Sequence, residues 1–354
     1  MVKKYRWLAF LLIVLLAVSL VVGCGGGEEE PEGTEGEGAE EAVTLKLSHQ
    51  WPAAPSADEG DFRARLALMF KEQVEEKSGG TLKVDLYPAE SLIKSKQQFE
   101  ALRTGSLDLT VLPLDYAGGM VPQLNVTLMP ALVKSHEQAA AWRTSEIGAK
   151  LTEILAEYNI KPLVWIWCAG GIGTNSDPIV APSDVPNGLK LRAAGARVEA
   201  MFEKLGAGIN SMPSSEIYTA MQTGVLDAAV TSSGSFASYR LYEQVKSYTA
   251  PTKNTFWFMF EPMLISTVTW DKLSDEQKQV IEEVSAELET VAYEESKKDD
   301  QAVADLFKEK GVDVYEIDDA TYEQWVEAAK PVWDAFAAEV EGGQELIDLA
   351  RAAE

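Results

Sequence analysis

Along most of the chain, apolar positions recur at every second residue, then at every third or fourth, and the two periods alternate. Val43 to Leu47 has the period of a strand. After a turn at Trp51–Pro55, Ser56 with Glu59 matches a capping box, and Phe62, Leu66, Met69, Phe70 and Val74 then fall on one face of a helix that Gly79 and Gly80 end. Leu82, Val84 and Leu86 predict a second strand, Gln97 to Thr104 a short helix closed by Gly105, and Leu107 to Leu112 a third strand. Strands alternating with helices predict an α/β lobe on a largely parallel sheet. Far downstream the helical period runs from Asp275 to Lys310, opened by a capping box at Ser274 and Gln277, with Val280, Ile281, Val284, Leu288 and Val291 on one side. At about 1.5 Å per residue this helix reaches about 54 Å, wider than one small lobe, so it is expected to lie across two lobes unless it breaks near Lys297–Asp300. A strand over Val312–Ile317 and two helices carrying Trp325, Trp333 and Phe336 inward complete the pattern.

One stretch repeats. Residues 101–111 read ALRTGSLDLTV and residues 220–230 read AMQTGVLDAAV, 119 positions apart, with Phe99 and Tyr218 in matching places and Pro88 and Pro213 ahead of the two helices. Each copy predicts a helix closed by a left-handed glycine, Gly105 or Gly224, then a strand with Asp108 or Asp227 near its start. Two lobes of like topology is the economical reading; a chance likeness of two corners is the alternative.

The N-terminus follows other rules. Lys3, Lys4 and Arg6 precede fifteen mostly apolar residues, Leu8 to Val22, too short for a membrane span of about 20 residues and suited to a signal peptide. The ending Val21-Val22-Gly23-Cys24 resembles the lipobox of bacterial lipoproteins, which implies lipidation of Cys24 after cleavage; an uncleaved anchor helix with an incidental cysteine is the other reading. Both put the rest of the chain outside the cytoplasm. Residues 25–42 hold eight Glu, six Gly and one Pro, with no aromatic or basic residue, and predict a flexible tether, the alternative being an acidic binding tail.

With 354 residues, 46% apolar and 25% charged, the chain has the makeup of a globular protein of two or three domains. Its formal charge of −25 excludes nucleic acid as a natural partner, since a polyanion would be repelled. Two cysteines make no disulfide framework, and two histidines leave little for a zinc or iron site, so neither metal nor cofactor is expected. Cys168, in an apolar run, is expected to be buried and inert.

Over about residues 43–340 the sequence resembles the extracytoplasmic solute-binding proteins of tripartite ATP-independent periplasmic (TRAP) transporters, the DctP-like family. The resemblance rests on EKSGGTLKVDLYPAESL (76–92), ALRTGSLDL (101–109), GLKLR (188–192), LGAGINSMPSSEIYTAMQTGVLDA (205–228) and LYEQVKSYT (241–249), in that order and spacing. It implies an α/β, two-lobed periplasmic-binding-protein fold, with crossing strands, a long helix bracing both lobes, and solute held between them. On that plan residues 43–166 with 251–290 form lobe I and 167–250 with 291–354 form lobe II.

The resemblance also places at Arg192 the arginine that pairs with a solute carboxylate, a role that a planar guanidinium suits because it gives two parallel hydrogen bonds. Read from spacing alone, Arg192 is a surface arginine at a strand end. Sialic acid binders of the family carry a second arginine where this chain has AGGIGT (169–174), a Glu and an Arg where it has LPLDY (112–116), and an asparagine where it has Gly195. Without those partners a sugar acid would bury unmated hydroxyls, so the expected solute is a small monocarboxylate with an apolar or aromatic body, dicarboxylates being less favoured. Gln50, Trp51, Tyr116, Trp167, Phe256 and Trp257 are candidate cleft residues, burial in the core being the alternative for each ring. Thr231, Ser232 and Ser233 end the second echo's strand and are candidates for polar contacts.

The implied partners are an organic acid, a membrane permease and, through Cys24, the membrane itself; monomer and homodimer both remain open. Three rival readings stand beside this one. A lipoprotein presenting solute to a membrane sensor kinase uses the same pocket. The binding protein of an ATP-driven importer shares the two-lobed plan but not the motif series. An enzyme finds little support: GGIG (170–173) lacks the ending of a phosphate loop and reads as a turn needing small residues, and His49 and His136 lie in no nucleophile motif.

Overall fold

The computed structural model describes residues 42–353. The signal peptide, Cys24 and all but the last residue of the acidic tether lie outside the described residues. Within them no helix is long and apolar enough to cross a membrane.

The strands are β1 (Val43–Ser48), β2 (Leu82–Tyr87), β3 (Leu109–Val111), β4 (Ile160–Val164), β5 (Trp167–Thr174), β6 (Lys190–Arg192), β7 (Gly208–Ile209), β8 (Ala228–Ser232), β9 (Ser247–Ala250), β10 (Phe258–Phe260), β11 (Met263–Ser266) and β12 (Asp313–Glu316). They form two sheets, one ordered β2-β1-β3-β11-β4 and the other β12-β9-β5-β8-β6-β7, with β10 added to β5. The expected two-lobed α/β architecture is present. Neither sheet is largely parallel, however. β1 runs parallel to β2 and β3, whereas β11 is antiparallel to β3 and β4, because it enters on the return crossing from the second lobe.

The sequence echo corresponds to a repeated structural unit. β2-β1-β3 and β7-β6-β8 are parallel triplets of the same order, each flanked by an antiparallel strand, β11 or β5. Gly105 and Gly224 both have φ of 72°. In the first corner Ser106 and Leu107 donate to the Ala101 carbonyl, and in the second Val225 and Leu226 donate to that of Ala220. Asp108 Oδ2 accepts from the Lys46 amide at 2.9 Å and Asp227 Oδ2 from the Lys190 amide at 3.2 Å, so each aspartate ties its strand to the neighbouring parallel one.

Two strand crossings join the lobes side by side. β4 continues through Trp165 and Ile166 into β5, and β10 continues through Glu261 and Pro262 into β11, with Phe258 opposite Ala169, Phe260 opposite Trp167, and the Glu261 amide donating to the Ile166 carbonyl at 2.8 Å. The long helix, Asp275–Glu309, is a third link and runs unbroken past Lys297–Asp300. Its capping box is formed as expected, with Ser274 and Gln277 each accepting from the other's backbone. Ile281, Val284, Leu288 and Ala292 pack into the core of the first sheet, and Val303, Ala304 and Phe307 into that of the second.

Two local expectations fail for physical reasons. The first helix starts at Phe62, capped by Asp61, whose side chain accepts from the Arg63 amide; Ser56 and Glu59 instead close a small bridge of their own. GGIG is no turn. It lies within β5, where a Cβ on Gly170 would come 2.3 Å from the Thr231 carbonyl oxygen and one on Gly171 would come 2.1 Å from that of Thr249. The glycines there let the central strand of the second lobe be approached closely from both faces. The inward aromatic residues Trp325, Trp333 and Phe336 all lie on one helix, Asp319–Glu339, ahead of the last helix, Gly343–Ala352.

The echo separates backbone strain from crowding. A Cβ on Gly105 would meet Val268 Cγ1 at 2.7 Å, while one on Gly224 meets nothing within 4 Å. Gly224→Ala is expected to cost the left-handed penalty alone, about 1–2 kcal/mol, and Gly105→Ala measurably more, with urea denaturation as the measurement; equal losses would contradict this packing.

Candidate functional site

Among the described residues two arginine side chains are almost wholly buried, Arg63 and Arg192. Arg63 leaves the first turn of helix Phe62–Lys77 and spans the lobes with every N–H committed. Asp61 accepts from its Nε at 2.8 Å and from Nη2 at 2.6 Å, Glu261 from Nη1 at 2.6 Å, and Ser232 and Ser235 from Nη1 and Nη2 at 2.8 and 3.3 Å. Trp51 covers the guanidinium at 4.1 Å and donates its indole N–H to Ser235. Burial pushes the Asp61 carboxyl up, but the adjoining guanidinium outweighs that and holds it below the usual carboxylate range. Cys168 is buried as expected, its thiol donating to Glu261 at 2.9 Å and pushed well up by burial and by that carboxylate. Nearby on the long helix, burial and the charge of Asp61 push Asp299 up to about 8.

Arg192 closes β6, and its surroundings are different in kind. Nε donates to the Met212 carbonyl at 3.0 Å, Nη1 to the Val230 carbonyl at 2.9 Å, and Nη2 makes only a long contact of 3.5 Å with the Tyr116 hydroxyl. Among the described residues no carboxylate pairs with it within the 4.0 Å of an ion pair. A guanidinium has five N–H donors, so at least two of them lack a protein acceptor. A buried charge is normally paired, and leaving one unpaired costs several kcal/mol. Arg192 is therefore a positive charge held out of water with no carboxylate side chain within ion-pair distance.

Around it stand groups from both lobes. Tyr116 donates to Gln50 Oε1 at 3.3 Å and accepts from the Ser214 amide at 3.2 Å, and Gln50 is held in turn by Tyr239, which donates to its carbonyl at 3.0 Å. Asp115, next to Tyr116, is buried with Oδ1 unpartnered. Burial pushes its carboxyl up to about 7 against the opposing pull of Arg192. Gly195, three residues after Arg192, faces it, since a Cβ there would lie 3.5 Å from Asp115 Cβ.

Of the residues singled out in sequence, the structure brings Arg192, Tyr116 and Gln50 together. Trp51 and Ser232 belong to the Arg63 cluster. Ser233 donates to Asp300 on the long helix at 2.6 Å, and Asp300 also contacts His136 at 2.8 Å. Trp167 lies in a separate ring stack, 5.0 Å from Phe260 and 4.9 Å from Trp142, and Phe256 stacks on Trp325. Trp257 is buried with its indole N–H unpartnered, and Thr231 is buried at the end of β8 without a side-chain hydrogen bond. His49 stacks on Trp51 and is driven down to about 4 by burial, which keeps it neutral. Arg63, Asp61, Glu261, Ser235 and Asp115 escaped the sequence reading. The one visible signal for Asp115 is a lone acid within the otherwise apolar segment 111–117.

Two cavities lie away from Arg192. One of about 560 Å³ sits between Arg143, Lys161, Glu282 and Glu289, and another of about 550 Å³ lies by Tyr322 and Trp333. In the first, Arg143 pairs with Glu289 and Lys161 with Glu282, so no charge is left unmet. Among the described residues no group of three His, Cys, Asp or Glu side chains is placed to hold a metal ion.

Comparison with known proteins agrees with this architecture. The family model of bacterial extracellular solute-binding proteins, family 7, matches residues 54–339. A solute-binding protein of Albidiferax ferrireducens is 44% identical over 308 residues, covering 87% of this chain and 90% of its own. The crystal structure of a TRAP periplasmic solute-binding protein from Rhodoferax ferrireducens with bound malonate superposes with a TM-score of 0.85 at 43% identity, covering 87% of this chain and 98% of that one. That of a Sulfitobacter homologue with bound β-D-galacturonate has a TM-score of 0.79 at 26% identity, covering 87% and 100%.

The two arginines are expected to respond oppositely to removal of charge. Arg63→Met strands Asp61 and Glu261 and should cost about 3–5 kcal/mol. Arg192→Met removes an uncompensated charge and should leave the solute-free protein at least as stable as the parent. Denaturant melts without added acids measure both; a similar loss in both would contradict the contrast.

Proposed function

The chain belongs to the bacterial extracellular solute-binding proteins of family 7, and we propose that within the TRAP system it receives a small organic acid by seating one solute carboxylate on Arg192. The observation that carries this reading is the buried guanidinium without an acidic partner. A carboxylate there would supply the missing charge, and its two oxygens match the parallel N–H pair of the fork.

Binding then acts on the lobes. Tyr116 to Arg192 and Ser214, Gln50 to Tyr239, and Arg63 to Ser232 and Ser235 all tie the first lobe to the second. A solute bridging both sides stabilises the closed form by the difference between its affinities for the closed and open forms. Segments 43–166 with 251–290 and 167–250 with 291–354 serve as the moving lobes. No reaction on the solute is required. The closed receptor delivers its cargo to the membrane permease, and a lipid on Cys24 with the acidic tether keeps it near that membrane. Delivery to a permease, rather than to a sensor kinase, is what the TRAP relatives support.

For the solute itself, one carboxylate on an apolar body remains the finer reading from sequence. A short dicarboxylate is the second, favoured by two observations: the Rhodoferax relative holds malonate, and the neighbours of Arg192 are polar, whereas Trp167 and Phe256 are engaged in ring stacks.

Calorimetric titration with malonate, succinate, phenylacetate and galacturonate tests both readings. Binding of at least one of the first three acids is expected, weakened about 100-fold or more by Arg192→Ala. Undiminished binding by that variant, or tight binding of galacturonate alone, would overturn the reading.

A further inference from the structure

Beside the β4–β5 crossing, the helix His136–Ala141 with the turn after it, residues 162–167 and the 282–296 stretch of the long helix enclose open space. The cavity of about 560 Å³ adjoins a smaller recess of about 50 Å³, the two sharing Arg143, Glu289 and Tyr293 as walls. Trp165 and Trp167 line the smaller one. Each is 5% exposed, and neither buried indole N–H has an acceptor among the described residues. Buried polar groups are nearly always hydrogen-bonded, so two such donors on one recess call for an acceptor within it.

The charges of this site are balanced, but its donors are not. Lys161 pairs with Glu282 at 2.6 Å, and Arg143 spends only Nε on Glu289, at 3.2 Å, which leaves both terminal guanidinium nitrogens without a hydrogen bond among the described residues. Glu289 also accepts from the Trp165 amide at 3.4 Å. A carboxylate offers about four lone-pair sites, so Glu289 has room for a further donor. Burial pushes its carboxyl up more strongly than Arg143 pulls it down, so one guanidinium leaves its charge incompletely met. The larger cavity adds apolar wall at Pro162, Leu163 and Ala286.

We propose that this is a second ligand site, separate from Arg192, which takes a small zwitterion of the amino-acid class. Its carboxylate accepts from Arg143 and from the indole N–H groups of Trp165 and Trp167, its ammonium donates to Glu289, and its apolar side chain lies along Pro162 and Leu163. A zwitterion adds no net charge to a site whose two bases and two acids already cancel. A plain organic acid suits the site less, because its carboxylate would face Glu289 with no cation added between them. An amine suits it less, because the indole donors would stay unmated.

The test is calorimetric titration of the parent and of Arg192→Ala with L-leucine, which is expected to bind both with the same affinity. On Arg192→Ala its deaminated and decarboxylated counterparts, 4-methylpentanoate and 3-methylbutylamine, should bind at least about tenfold more weakly. Trp165→Phe and Trp167→Phe keep the ring and lose the donor, and each should weaken leucine about tenfold. Arg143→Gln lies at a half-exposed position and should weaken leucine likewise, which keeps the test open if a tryptophan variant fails to fold. Absence of leucine binding to Arg192→Ala, affinity for 4-methylpentanoate equal to that for leucine, or leucine binding that all three variants leave unchanged would overturn the proposal. Leucine binding that disappears with Arg192 would place the amino acid between the lobes and overturn it as well. The carboxylate reading of Arg192 stands or falls separately, on malonate and the other organic acids.

Discussion

The structure turns on a buried guanidinium that the protein declines to neutralise. Arg63 and Arg192 are equally hidden from water, but Arg63 is enclosed by Asp61 and Glu261 whereas Arg192 meets two backbone carbonyls and a distant phenol. Carbonyl dipoles orient a guanidinium without cancelling its charge. Burying the first arginine is a structural device, since removing either partner would strand the other. Burying the second stores an unmet demand for an anion, and that demand is specific in geometry because the carbonyls of Met212 and Val230 fix the plane of the fork.

The site draws on both lobes, and the connections between them set how those lobes meet. Two antiparallel crossings at Trp165–Ile166 and Glu261–Pro262, with a helix that shares a core with each sheet, join the lobes. The Arg63 cluster adds polar contacts over the same gap. Its members are paired within the protein, so it ties the lobes together without competing for the solute carboxylate. Asp115 and Tyr116, on a short turn after β3, face Arg192 at the carboxyl end of β6, so the site draws one side from each parallel triplet. The repeated corner at Gly105 and Gly224 gives those triplets the same construction.

Much of this was legible in the chain because it depends on local periodicity and local chemistry. The long helix, its capping box, the two glycine-closed corners and the two-lobed plan follow from spacings of a few residues and from one repeat. The expectations that failed did so where distant segments decide. Ser56 and Glu59 satisfy the pattern of a cap, but Asp61 wins because its carboxylate serves the helix amide and the Arg63 side chain together. GGIG reads as a turn until β8, β9 and the Trp257 ring press on it from several sides. The inner rings fit the cleft and the core equally well by sequence, since a tryptophan carries no local mark of which it fills.

By itself, then, the sequence determined the class of fold, the family, and the arginine most worth following, because alternation, capping and motif order are written in neighbouring residues. Only the tertiary structure decided which buried charges are paired. Asp61, Arg63 and Glu261 meet from two stretches of chain nearly 200 positions apart, and Asp115, after β3 of one sheet, lies against Gly195, three residues past Arg192 of the other. Charge compensation is a property of three-dimensional distance, and no one-dimensional pattern encodes it.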